Sequence, residues 1–263
     1  MRNPRAKKAA PSNTNWRAMV EIQDRLASPS RAPNGISALV KKWLNSVPFA
    51  ATLARHLYFG VLARGFDGSA DYWDARYRKG RDSGSGSYGR LAEFKAEILN
   101  RFVRDNGIET VVEFGCGDGA QLSLARYPEY HGIDISPAAI ARCQSCFAGD
   151  TTKRFSLAGA RGEETYDLAL SLDVIYHLVE YPVFDAHMRE LFAASRSFVA
   201  IYSSNEESAV PEPHIRHRKF TDWVEANEPT WRLRERIANR YPFSARDPEN
   251  TSFAEFYVFE KRA

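Results

Sequence analysis

From residue 91 onward the chain switches repeatedly between a helical spacing of apolar positions and short, continuous apolar runs. Leu91, Phe94, Ile98, Phe102 and Val103 fall on one helical face, and Gly107 is placed to end that helix. The run at 109–114 is apolar and β-branched and reads as a buried parallel strand. A second strand is expected at 130–135. Ser136-Pro137 then supplies an N-cap and a proline at the first helical position, predicting a helix through 138–146. Further strands are expected at 154–157, 166–172 and 197–203, with a helix carrying Val183, Met188, Leu191 and Phe192 before the last of these. Strands alternating with helices in this way imply an α/β, doubly wound, mostly parallel sheet. The runs at 231–237 and 253–259 have no helix between them. They predict an antiparallel pair that closes a seven-stranded sheet.

Ahead of this region the pattern is different. Residues 1–15 are polar and basic, and 16–26 space their apolar residues as an amphipathic helix. A Ser/Pro/Gly stretch at 28–35 breaks it, and a second helical region follows at 36–62, interrupted near Val47-Pro48. Its many large apolar residues would serve either as a helical cap packed on the main domain or as an interfacial membrane patch across residues 1–62. The cap is favoured, since a wide apolar stripe is usually core. The expected organisation is a basic N-terminal tail and helical cap at 1–70, a Gly/Ser-rich lid or linker at 71–90, and a ligand-binding domain at 91–263. The middle segment reads equally as a flexible linker and as a lid, because aromatics flank its Gly/Ser tract and it leads directly into the core.

Composition narrows the setting. The net charge is only +3, and 44% of the 263 residues are hydrophobic, as in an ordinary globular protein. The charge is unevenly placed: residues 1–70 hold eleven Lys/Arg against three Asp/Glu, and the remainder 25 against 30. This weighs against a nucleic-acid partner for the body of the chain. Three cysteines give no disulfide framework, so a reducing, cytoplasmic setting is expected. Cys143-Gln144-Ser145-Cys146 lacks a second ligand pair, and no metal is expected.

The chemistry concentrates at Glu113-Phe114-Gly115-Cys116-Gly117-Asp118-Gly119, where a buried strand breaks into alternating glycines. Such a turn lets backbone approach a ligand, and residues 120–125 are expected to open a helix whose amides face it. Gly115 to Ala120 satisfies G-x-G-x-x-[G/A], and Asp134, nineteen residues after Gly115, could bind a ribose hydroxyl. Dinucleotide and S-adenosylmethionine (SAM) sites share this geometry. Glu113 before the loop suits an ammonium group and would repel a pyrophosphate. The alternation of the glycines and the antiparallel ending also favour SAM.

On these motifs the chain, over residues 88–263, resembles the class I SAM-dependent methyltransferases with their Rossmann-like sheet. The resemblance implies that Glu113, Gly115, Cys116, Gly117 and Gly119 form the SAM loop. It also implies that Asp134 holds the ribose and Ile135 the adenine, and that the segment from Leu172 and Asp173 to Tyr176 and His177 lies beside the transferred methyl. Asp150 is the candidate acid for the adenine amine. Residues 1–70 fall outside the resemblance.

SAM carries an activated methyl, so the protein's task is to place a nucleophile in line and, for oxygen or nitrogen, to take its proton. His177 is one candidate base; His214 and His217 are others, with Arg216 suited to an anionic group and Tyr176 to substrate contact. Each also has a structural reading: His177 at a helix start, Asp173 as a cap, and the 214–217 segment as a solvated basic loop. Motifs of amino-methylating DNA enzymes and of protein arginine methyltransferases are missing. That leaves a small polar acceptor, a sugar or another metabolite, by elimination. The alternatives are an NAD(P)-dependent oxidoreductase and a non-catalytic SAM-fold binding protein.

Overall fold

A computed structural model describes residues 68–208, 210 and 212–262. The helices expected at 16–26 and 36–62 lie outside the described residues. The elements in order are α1 (Ser69–Arg78), α2 (Gly89–Asp105), β1 (Thr110–Phe114), β2 (Glu129–Asp134), α3 (Pro137–Cys146), β3 (Lys153–Leu157) and β4 (Tyr166–Leu172). They continue with α4 (Tyr181–Ala193), β5 (Ser195–Ser203), α5 (Phe220–Asn227), β6 (Trp231–Ile237) and β7 (Glu255–Lys261).

The seven strands lie in the order β3-β2-β1-β4-β5-β7-β6. β7 runs antiparallel to both β5 and β6, and the other pairings are parallel. The period-two pleat divides the apolar strand residues between two cores. Val111, Leu168 and Leu170 join Phe94, Leu99 and Phe102 of α2 on one face. Val112, Ala169 and Val199 join Phe184, Met188 and Leu191 of α4 on the other. With both faces covered, the ligand crevice of such a sheet falls outside the carboxyl ends of β1 and β4, where the strand order reverses.

The structure departs from the sequence reading at two places. No α-helix opens after the glycine loop; residues Leu122–Leu124 form a single 3-10 turn. Asn100 of α2 ends it, donating from its side chain to the Leu124 carbonyl at 2.9 Å and accepting from the Arg126 amide at 2.7 Å. Pro128 then forces Tyr127 into extended geometry leading to β2. The second is an added element: α5 forms at Phe220–Asn227, where Phe220, Trp223 and Val224 bury one face. The 71–90 segment is not shapeless either, since α1 occupies its first part and a 3-10 turn spans Ser85–Ser87.

Candidate active site

At the carboxyl ends of β1, β2 and β4 lies a cavity of about 270 Å³, roofed by Trp73 and Tyr77 of α1 and by Ser83 and Ser87 beyond it. Its floor is the loop after β1. Gly117 has φ +57°, and a Cβ there would meet the Ser83 hydroxyl at 2.4 Å. At Gly115, φ +86°, a Cβ would sit 2.5 Å from a Val174 methyl. The loop is therefore glycine for two reasons, left-handed backbone and neighbours already in contact. Gly119, φ +80°, meets the same two conditions away from the cavity. It faces Phe147 and Cys143 and lies outside the cavity wall.

Asp134 ends β2 with its carboxylate caught between two amides. Oδ2 accepts from Gly117 N and Oδ1 from Ser136 N, each at 2.9 Å. Burial raises its pKa while these amides oppose the shift. The Ile135 amide acts on it in the same sense, and a carboxylate has acceptor directions beyond these for a ribose diol. Ile135 beside it lines the cavity while 49% exposed, an apolar surface suited to an adenine ring.

Glu113 is buried and accepts from the Tyr130 hydroxyl at 2.6 Å. Burial pushes its pKa up to about 7. Opposite it stands Lys95 of α2, 1% exposed, donating to Asp173 Oδ2 at 2.6 Å. Asp173 Oδ1 accepts from the Tyr176 hydroxyl at 2.9 Å, so Tyr176 reaches the site through Asp173 and does not line it. Asp173 has φ +59°, a rare geometry for a residue with a side chain, and this pairing holds it there.

His177 lines the cavity, and its Nδ1 donates to the carbonyl oxygen of His214 at 3.0 Å. Burial lowers its pKa to about 4. Trp73 meets its ring edge-on at 4.8 Å, and the His214 ring lies parallel to it at 5.7 Å. His214 stacks on Tyr72 and lies outside the cavity wall. His217 is also outside it, buried with Nδ1 2.6 Å from the Ser204 hydroxyl and Phe253 packed across its ring. Arg216 is a surface residue paired with Glu207 at 2.9 Å. Asp150 lies at the start of β3, bound to Thr152, at the sheet edge opposite the cavity. It cannot reach an adenine held there.

Among the polar groups of the wall that sequence reasoning missed are Lys95, Gln121, His187 and Glu190. Lys95 announced itself, because it falls on the apolar face of α2 between Phe94 and Ile98. His187 looks ordinary in a helix, yet its Nε2 lies 3.0 Å from Ser171 Oγ, and burial lowers its pKa to about 4.

A buried acid after β2, a glycine floor that leaves no room for side chains and a buried acid–lysine pair at one end together suit a nucleoside carrying an amino-acid tail. Fold and site thus define an α/β enzyme of the SAM-binding class. A family model described as "Methyltransferase domain" matches residues 88–243, more than half of the chain. The chain belongs to this family and is a class I SAM-dependent methyltransferase. The dinucleotide alternative falls with that assignment.

Among solved structures, magnesium protoporphyrin IX methyltransferase of Synechocystis PCC 6803 with bound S-adenosylhomocysteine (SAH) superposes with TM-score 0.54 at 15% identity. The match covers 73% of this chain and 97% of that one. The N-methyltransferase NodS of Bradyrhizobium japonicum WM9 in complex with SAH also gives TM-score 0.54 at 15% identity, over 66% and 88% of the two chains. At such identity the likeness is one of fold. In sequence, the mouse protein EEF1A lysine methyltransferase 4 is 29% identical over 94 residues, which are 34% of this chain and 36% of the relative. The chain thus matches about a third of that relative's length. Among the described residues no helix is long and apolar enough to cross a membrane.

Proposed function

We propose that the chain transfers the SAM methyl to an oxygen or nitrogen of a small polar acceptor, and that His177 takes the acceptor's proton. When bound, SAM supplies a methyl on a cationic sulfonium, and the remaining tasks fall to the protein. The observation that carries this reading is the His177–His214 hydrogen bond. A carbonyl oxygen only accepts, so the proton sits on Nδ1 and the lone pair on Nε2. A neutral imidazole in the cavity wall with a free lone pair is a general base in its working form. Asp173 and Trp73 flank it and would orient the acceptor. His214 acts through His177, and this reading gives no proton-transfer role to His217, bound to Ser204, and no anion-binding role to Arg216, paired with Glu207. Residues 69–88 serve as a lid in this reading, since they roof the cavity.

The experiment uses SAM carrying a tritiated methyl, incubated with the purified protein and with either the small-molecule filtrate or the protein fraction of a cell extract. Label is expected in the small-molecule fraction and to be lost with His177→Ala. Label confined to a protein fraction would support a second reading, a protein lysine acceptor, which the mouse relative's name favours.

A further inference from the structure

We propose that Arg218 is a positioning residue for the His177 base, gripping the chain segment that directly follows it. The inference rests on the proton-transfer reading above and extends it to a residue outside the cavity wall. Leu178 and Val179 lie between the 3-10 turn Ile175–His177 and α4, inside neither element. Main-chain carbonyls in such a place need a donor from elsewhere. Arg218 meets both: Nη1 donates to Leu178 O at 2.7 Å and Nη2 to Val179 O at 2.6 Å. Its guanidinium also lies over the Phe184 ring at 4.8 Å, which steadies the fork. A planar fork serves two successive carbonyls at once, whereas an ammonium is a single point charge on a flexible stem. Leu178 lines the cavity and Arg218 does not, so a change in Arg218 reaches the site through this segment.

The loop that carries Arg218 runs along the same segment. Arg216 N donates to Tyr176 O at 2.7 Å, and His214 O accepts from His177 Nδ1 at 3.0 Å. His177 is therefore bracketed, with a loop contact on the residue before it and two on the residues after it. The carbonyl that selects its tautomer and the guanidinium that holds its neighbours belong to one short stretch, residues 214–218, so a shift in either moves both. Val179 is held by α1 as well. Ser69 Oγ accepts from Val179 N at 3.0 Å and donates to Glu180, and Glu180 Oε1 accepts from Ser69 N at 2.9 Å. The roof thus takes the Val179 N–H and Arg218 the Val179 carbonyl, and the seating of α1 and the placement of the base share this one residue.

The test follows two readouts: the initial rate of transfer of the tritiated SAM methyl into the small-molecule filtrate, and the imidazole nitrogen resonances of His177, identified by their loss in His177→Ala. Arg218→Met is expected to slow transfer by about ten- to hundredfold and to replace the single Nδ1–H tautomer by a mixture of both. Arg218→Lys keeps the charge without the fork, and is expected to stay folded with a loss of about three- to tenfold and the same mixing. Ser69→Ala acts on the same residue, so the loss in the Ser69→Ala, Arg218→Met double variant is expected to fall short of the product of the single losses. Wild-type transfer with a single tautomer in either Arg218 variant would overturn the proposal. Slower transfer with the tautomer kept would also overturn it, since that marks a structural role alone. His177→Ala transferring at the wild-type rate would instead overturn the base assignment on which the proposal rests.

Discussion

The Nδ1 of His177 donates to the main-chain oxygen of His214 at 3.0 Å, tying the end of β4 to the loop after β5 and fixing one tautomer of a half-buried imidazole. The base of the proposed reaction is therefore held by backbone. Because burial lowers its pKa to about 4, the ring is neutral throughout the physiological range. Turnover is expected to be flat from about pH 5.5 to 8 as far as this group is concerned, and to fall by about tenfold per unit below its pKa. His177→Ala is expected to lower kcat by about 10²–10⁴-fold with SAH affinity nearly unchanged. A limb centred near the ordinary histidine pKa would contradict the assignment.

The sheet was legible because its strands are chemically distinct from their surroundings. Tyr166–Leu172 is mostly apolar and buried almost throughout, as a strand covered on both faces must be, whereas Trp231–Ile237 is rich in Arg and largely exposed, as suits an edge strand. The glycine loop, Asp134 and the 172–177 segment were legible for a similar reason, since each sits where a strand ends and the chain changes period. What failed depended on tertiary partners. Residues 120–125 have helical composition, and only Asn100, twenty residues earlier in sequence, shows why they stop after one turn. Lys95 and Gln121 lie on an apolar helix face and in a turn, and acquire a role only when α2 packs over the loop. Asp150 was misplaced by overlooking direction: an acid before a parallel strand lies at the wrong edge.

Gly117 and Ser83 make a separable pair. Gly117→Ala would combine a left-handed φ, costing about 1–2 kcal/mol, with a Cβ placed 2.4 Å from the Ser83 hydroxyl. Ser83→Gly removes the closest of the contacts, leaving the Tyr77 hydroxyl at 2.9 Å and the left-handed φ. Urea denaturation of the two single variants and the double variant is expected to show non-additivity, the double being more stable than the sum of the singles implies. Strict additivity would mean that the two residues do not meet.

Tyr88 tests whether residues 69–88 act as a lid, through their stretch 79–88 beyond α1. Its hydroxyl donates to Asp118 Oδ2 at 2.7 Å, and the same oxygen accepts from the Ser83 amide at 3.0 Å. Asp118 N donates back to Ser83 Oγ at 3.0 Å, so the roof is fastened to the glycine loop itself. Tyr88→Phe removes one fastening and touches neither the loop backbone nor the cavity wall. Amide hydrogen exchange is expected to quicken across 79–88 and stay constant in β1 and β4, with faster SAH dissociation. Unchanged exchange and dissociation would favour a linker.

Glu113 sets a pH dependence whose sign follows from its burial. Its folded-state pKa is raised from the ordinary 4.5 to about 7, so the unliganded protein holds a proton there across mildly acid pH. A group with a raised folded pKa stabilises fully below its unfolded value and loses that contribution as pH climbs. Between pH 4.5 and 7 the loss is on the order of 3 kcal/mol, and Glu113→Gln should not show it. Ligand binding is expected to run the other way, an ammonium set beside Glu113 favouring the carboxylate and expelling the proton. SAH affinity is therefore expected to rise by up to about tenfold per unit toward pH 7 and then level off. At pH 6, titrations in buffers of different ionisation enthalpy should report release of close to one proton per SAH, and none in Glu113→Gln. Proton uptake, or an affinity indifferent to pH across this window, would place the ammonium away from Glu113.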